Sequence, residues 1–263
     1  MRRLLLPLIA SCVVLAACSS EQTVEEMADD TAATTAPTTA PVADSASDDD
    51  ASDDVAPEPE VVVLTLTDLY DMVDALPSRG WVDGPRYDYD LYSPDRLRDL
   101  DSDGDCQSDR TEVLIADAEW YELDGSGCRV VDGEWIDPYT GERFSTDEDS
   151  IEHVVAVAEV HWAGGHAWSR ERREAFAVDI GDPSTLNVAR VEVNTDKGAL
   201  PPQDFAPADD ALACQYGIDR VRIMTRWSLA VWDDDGERNA LYDLLDRCPD
   251  GTTAPVVEVM PDF

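Results

Sequence analysis

Lysine is nearly absent, with Lys197 the only one in 263 residues against 18 arginines and 58 acidic residues. The resulting formal net charge of −39 excludes a chain that grips nucleic acid by bulk electrostatics. Contact with a polyanion has to be local or metal-assisted. Histidines number three, His153, His161 and His166, so imidazole chemistry is confined to a stretch of fourteen residues. C-x-x-C spacing is missing, which argues against a four-cysteine zinc site. No internal repeat or second domain is visible, and with 43% hydrophobic residues the chain is long enough to bury a real core.

What is present begins with an export signal over residues 1–18. Arg2 and Arg3 precede an apolar stretch too short to span a membrane, and the stretch ends in Leu15-Ala16-Ala17-Cys18. That ending resembles the bacterial lipoprotein signal, which implies acylation of Cys18 and an extracytoplasmic protein anchored to the cell membrane. Residues 19–60 contain thirteen acids and no base among Ala, Thr, Ser and Pro, a composition that reads as a disordered acidic tether. Residues 61–263 still hold 45 acids and 17 bases, a net of −28, so the folded part is itself acidic.

With Cys12 and Cys18 assigned to the signal and anchor, Cys106, Cys128, Cys214 and Cys248 remain, an even number suited to an oxidising compartment. Of three connectivities, Cys106–Cys128 with Cys214–Cys248 is favoured because each closes a local loop, worth roughly 3–4 kcal/mol.

The spacing of Leu64, Leu66, Leu69, Met72, Val73 and Leu76 predicts a short helix ended by Pro77 and Gly80. Residues 111–116 read as a strand, and 128–136 as a hairpin turning at Asp132-Gly133. A loop follows at Asp137-Pro138-Tyr139-Thr140-Gly141, then an apolar run from Ile151 to Val160 that starts as a strand. Ser169 starts a helix over 170–178, and 186–193 reads as a strand or extended connection. Two helical patterns close the fold, one through Leu212, Tyr216, Val221, Met224 and Trp227, the other through Ala240, Leu241, Leu244 and Leu245. The expected architecture is one α+β domain over 61–250, followed by a tail at 251–263.

The chemistry concentrates at Glu152-His153 and at Asn194-Thr195-Asp196-Lys197-Gly198, a polar turn 41 residues on that holds the only lysine. A carboxylate beside a histidine lets one side chain hold a metal while its neighbour activates water. An amide and a cation at the turn complete a metal site and receive a phosphate.

These segments, with Ala158-Glu159, Trp168, Phe176-Ala177, Leu186, Pro202 and Pro207, resemble the secreted HNH endonuclease family of actinobacteria. Upstream, Asp101-x-Asp103-Gly104-x-Cys106, Arg110-x-Glu112-Val113-Leu114 and the Gly127–Gly141 stretch fit the same pattern, so the likeness covers roughly residues 66–248. The resemblance implies a ββα-metal (HNH) core, preceded by a disulfide-closed β-hairpin region and followed by a C-terminal helix pair. It also implies that His153 is the general base, that Glu152 and Asn194 hold one divalent cation, Mg2+ by ligand type, and that Lys197 contacts phosphate or supports the turn. The implied substrate is nucleic acid, DNA rather than RNA; the net charge of −28 leads us to expect weak, metal-dependent binding, by a monomer. Three positions depart from the family pattern: Glu152 replaces an aspartate, Ala156 a proline and Leu200 a second lysine. The alternative is an acidic envelope lipoprotein on the same scaffold, catalytically weak or inactive, that binds calcium or a partner.

Other groups have plainer readings beside functional ones. A run of acids from Asp99 through Asp103 resembles the first half of a calcium loop, so a structural Ca2+ is considered near Asp101 and Asp103. Its twelfth position is Arg110, and an acidic turn beside a disulfide is the alternative. His161 and His166 are expected to face solvent rather than form a zinc trio. Glu159 either supports the metal site or pairs with an arginine, and Arg170, Arg172 and Arg173 either face DNA or pair with nearby acids.

Overall fold

A computed structural model describes residues 62–80, 86–232 and 236–262. The signal and tether readings for 1–60, Cys18 included, lie outside the described residues. Those described all belong to one compact unit, and it is α+β.

The first strand, β1 (Val63–Thr65), runs into α1 (Leu66–Ala75), whose start is a capping box in which Thr65 and Asp68 satisfy each other's backbone N–H groups. Leu69 and Val73, four apart, bury the inner face of α1. After the short β2 (Ser78–Arg79) and two 3-10 turns at 89–91 and 94–98 comes α2 (Asp109–Asp117). The strand expected at 111–116 is therefore a helix. Ser108 caps it through the backbone N–H of Thr111, and Asp109 and Glu112 sit in its first turn, where the helix dipole favours acids.

Next are β3 (Ala118–Leu123), β4 (Val130–Ile136) and β5 (Arg143–Ser145), one antiparallel sheet in the order β3-β4-β5. The hairpin turns at 124–129, and Asp132-Gly133 lies inside β4 with Gly133 opposite Tyr121. Gly133 is there for packing: a Cβ would stand 2.6 Å from the Trp135 ring and 3.0 Å from the Trp120 carbonyl oxygen. Trp135, fully buried, anchors a small core with Leu97, Leu114, Phe144 and Val188.

The strand at 151 starts earlier and stops sooner than expected, as β6 (Asp149–His153), and the chain then turns into α3 (Val157–Trp162). Helix α4 (Arg170–Ala177) is capped by Ser169 as expected. β7 (Leu186–Arg190) pairs antiparallel with β6 in register Glu152 to Asn187, and α5 (Val191–Lys197) follows directly, so the polar stretch around Asn194 is helix and not turn. Gly198 ends α5 with φ +49°, a left-handed conformation that favours glycine.

The main core is built on α6 (Asp210–Arg226), followed by β8 (Val231–Trp232), which pairs with β2, and by α7 (Gly236–Leu245). Gly217 lets α6 meet α7 closely, since a Cβ there would lie 2.7 Å from that of Leu244. The Cys214–Cys248 disulfide joins the start of α6 to the segment after α7, and Cys106–Cys128 ties the acidic loop to the β3-β4 turn, both as expected. The segment expected as a tail contributes a strand, because β9 (Thr253–Pro255) pairs antiparallel with β1 and buries Ala254.

Candidate functional site

The site is assembled where α5 lies against β6. Ser150 and Glu152, two apart on a strand, share a face, and Asn194 and Lys197, three apart on a helix, share another. The two pairs match: Asn194 Nδ2 donates to Ser150 Oγ at 2.8 Å, and the Lys197 ammonium pairs with Glu152 Oε1. Lys197 is 0% exposed and Glu152 2%, so this is a buried ion pair. Lys197 Nζ also donates to the His153 carbonyl at 3.1 Å. Of the two roles expected for Lys197, phosphate contact does not fit a side chain fully shut off from solvent. Support of the local structure does.

Glu152 has a second partner that the sequence reading did not assign. The Tyr139 hydroxyl donates to Oε2. The loop that carries Tyr139 is wound around buried Asp137, whose Oδ1 accepts from the Tyr139 and Thr140 backbone N–H groups at 3.0 and 2.9 Å. Oδ2 of Asp137 accepts from Arg190 N at 2.9 Å, which fastens the loop to the end of β7. Burial and the neighbouring Glu152 carboxylate hold the Tyr139 phenol well above its ordinary pKa, so it stays a donor. The signal in the sequence is Asp137-Pro138-Tyr139, a loop whose pattern alone does not show that Tyr139 meets Glu152.

His153 follows Glu152 on the strand and meets different neighbours. Its ring stacks on Phe176 at 5.7 Å, and Nε2–H donates to the Ala177 carbonyl at 3.0 Å. A carbonyl can only accept, so the proton is on Nε2 and Nδ1 keeps its lone pair. Burial pushes the imidazole below its usual 6.5, and the hydrogen bond to Ala177 and the Glu152 charge oppose that shift. The neutral form that a general base requires is therefore the resting form at pH 7.

Glu152, His153 and Asn194 all line one cleft of about 500 Å³. Its other walls include Tyr89, Arg98 and Arg110, and Arg110 is engaged by Asp149. The donor set suits a hard cation. Asn194 spends its amide N–H on Ser150 and leaves its carbonyl oxygen, and each Glu152 oxygen has used one lone pair of two. Lys197 neutralises Glu152 from below, which lowers the attraction for a metal.

The remaining candidates resolve into structure. His161 is fully buried, against expectation, in a box with Tyr87, Tyr92 and Trp162. His166 Nδ1 lies 3.0 Å from the His161 carbonyl oxygen. Glu159 pairs with buried Arg220, joined at 3.5 Å by Glu237. Arg170 pairs with Glu174, Arg172 is buried against Asp262 and the Pro261 carbonyl, and Arg173 reaches the carbonyls of Leu91 and Trp168. The acidic loop is better framed from Asp101 than from Asp99. Carboxylate oxygens of Asp101, Asp103 and Asp105 lie within 4.8 Å of one another. Counted from Asp101, the twelfth residue is Glu112, whose Oε1 is buried with no hydrogen-bond partner among the described residues. Burial and then the charges of Asp103, Asp109, Asp105 and Asp101 raise its pKa.

No family model matches the chain, and no solved structure matches it. An uncharacterized secreted protein of Arthroderma benhamiae is 29% identical over 166 residues, which cover 62% of this chain and 79% of that protein.

Proposed function

We propose that this chain is a lipid-anchored, extracytoplasmic HNH endonuclease that hydrolyses phosphodiester bonds of DNA with a divalent metal. The observation that carries the reading is the cleft: Glu152 and His153 of β6 and Asn194 of α5, 41 residues further on, line one recess. The antiparallel pair β6 and β7, with α3 and α4 between them in sequence and α5 directly after, supports reading these elements as the ββα core that the sequence resemblance implies. An extracytoplasmic place agrees with two disulfides and with a relative described as secreted. The anchor itself rests on the Cys18 signal.

In this reading His153 Nδ1 takes a proton from the attacking water, and its Nε2–H, held by Ala177, keeps the ring in the correct tautomer. The carboxylate of Glu152 and the carbonyl oxygen of Asn194 hold Mg2+. When bound, the cation supplies positive charge to the phosphate and the departing oxygen. Lys197 pairs with Glu152 in a buried position and holds its carboxylate in place. With −28 on residues 61–263, DNA binding is weak, local and salt-sensitive, and the protein acts as a monomer.

The second reading, an acidic binding lipoprotein without efficient catalysis, is favoured by the Lys197–Glu152 pair, because a neutralised carboxylate is a poorer metal ligand. Plasmid cleavage in Mg2+ separates the two. The first requires cleavage by the wild type and its loss in His153→Ala. Absence of cleavage by the wild type across several metals and salt concentrations contradicts it and leaves the second. In either reading a structural Ca2+ is proposed at Asp101 and Asp103, joined by Asp105.

A further inference from the structure

The Asp137–Gly141 loop has no part in the chemistry proposed so far, yet it delivers a buried phenol to the carboxylate beneath the cleft. We infer that Tyr139 is a positioning residue for Glu152, fixing the plane of the carboxylate so that its remaining lone pairs face the cleft. This rests on the reading of Glu152 as a metal ligand.

The terminal torsion of a glutamate is broad and roughly two-fold, so the backbone of β6 does not set the carboxylate plane. Lys197 does not set it either. An ammonium is a compact charge with three rotatable donors, and it can follow Oε1 through a range of carboxylate orientations. A hydroxyl on the other oxygen removes that freedom, because Oε1 and Oε2 are then held by two groups on different elements.

For this to work, Tyr139 has to be more rigid than Glu152. Its backbone is held by Asp137, and its ring meets Phe205 and Tyr216 edge-on at 5.3 and 5.5 Å. Tyr139 is 4% exposed, and Lys197 Nζ stands 5.9 Å from its ring centroid. A phenol used only as core filling would not need a hydroxyl that ends on a charged oxygen. The fold has placed it on Glu152, which shares the cleft with His153 and Asn194.

The test uses the oxidised protein and Mn2+ alone as the probe. Tyr139→Phe keeps the ring and removes only the hydroxyl. Tyr216→Phe is the control, since it removes a buried hydroxyl that contacts Arg220 and touches neither Glu152 nor His153. Titration calorimetry is expected to show Mn2+ affinity lowered roughly tenfold or more in Tyr139→Phe, the size seen when groups that orient a metal ligand are lost. Tyr216→Phe should bind Mn2+ as the wild type does, even if it melts earlier. In cleavage assays Tyr139→Phe should lose kcat at a given Mn2+ concentration with KM for DNA unchanged. Equal Mn2+ affinity in Tyr139→Phe and wild type, or equal weakening in both variants, overturns the inference and leaves the nuclease reading standing. A wild type that neither binds Mn2+ nor cleaves DNA overturns both. Should Tyr139→Phe fail to fold, the wild-type Mn2+ complex decides by crystallography: a Glu152 oxygen on the metal with the Tyr139 contact kept supports the inference, and a lost contact overturns it.

Discussion

Replacing Lys197 by methionine keeps the length of the side chain and deletes its charge, which makes it a direct probe of the pair beneath the cleft. In the folded protein Glu152 is 2% exposed, with Lys197 and Tyr139 as its partners. Lys197→Met leaves that carboxylate buried with the phenol alone and strips the His153 carbonyl of its 3.1 Å contact. Breaking a buried pair from one side costs about 3–5 kcal/mol, because an uncompensated charge stays behind or must take up a proton. At roughly 2–4 °C per kcal/mol for a domain of this size, Tm should fall by about 6–20 °C. Glu152→Gln in the same chain removes the stranded charge and should restore more than half of the loss, so the two substitutions couple strongly in a double-mutant cycle. Denaturant unfolding of the oxidised wild type, both single variants and the double variant measures this. A Lys197→Met cost below about 1 kcal/mol, or additivity within about 0.5 kcal/mol, refutes the buried-pair argument.

Three other outcomes are expected. Asp219 is buried and its carboxyl is pushed up to about 6, chiefly by desolvation. Its neutral form is the one the fold prefers, so stability is lost as pH rises from about 4 towards 6. Asp219→Asn should flatten that slope in pH-dependent unfolding and raise stability at pH 7 by at most about 3 kcal/mol; an unchanged slope contradicts it. Serine at both Cys214 and Cys248 opens a loop of 34 residues. That should cost about 4 kcal/mol on the chain-entropy estimate, read as a lower denaturant midpoint, and an unchanged midpoint contradicts it. Millimolar Ca2+ should raise Tm, and Asp103→Asn should abolish the increase; a Tm indifferent to Ca2+ removes the cation proposed at Asp101, Asp103 and Asp105.

Local chemistry made much of the fold legible. Ser169 before α4 is a cap whose side chain serves a backbone N–H three residues on, so sequence neighbours suffice to find it. The two disulfides were accessible for the same reason, since each joins the ends of a short loop. Failures came where tertiary packing overrode local preference. Thr111, Val113 and Ile115 alternate like a strand, yet the Ser108 cap and the packing of α2 under β4 and β7 make the segment helical. Asp132-Gly133 has turn chemistry, but its glycine makes room for the Trp135 ring while the chain turns at Asp124.

The same division holds for the site. Glu152, His153 and Asn194 could be chosen by residue type and spacing, and they do share a cleft. The depth of Lys197 could not be read, because it depends on Tyr139 and on α5 being a helix without any side-chain cap, held down by its pairing with β6. Nor could the fate of the arginines. Arg172, Arg220, Arg222 and Arg226 are buried against carboxylates and carbonyls, so positive charge that looked available for DNA is spent inside the fold.

The most direct measurement of the central claim is a crystal of the oxidised protein soaked in Mn2+, with the anomalous signal used to place the ion. The account predicts one site in the cleft, with an oxygen of Glu152 and the Asn194 carbonyl oxygen as ligands and His153 Nδ1 facing a water beside the metal. An empty cleft at saturating Mn2+, with Glu152 still closed on Lys197 and Tyr139, would contradict it.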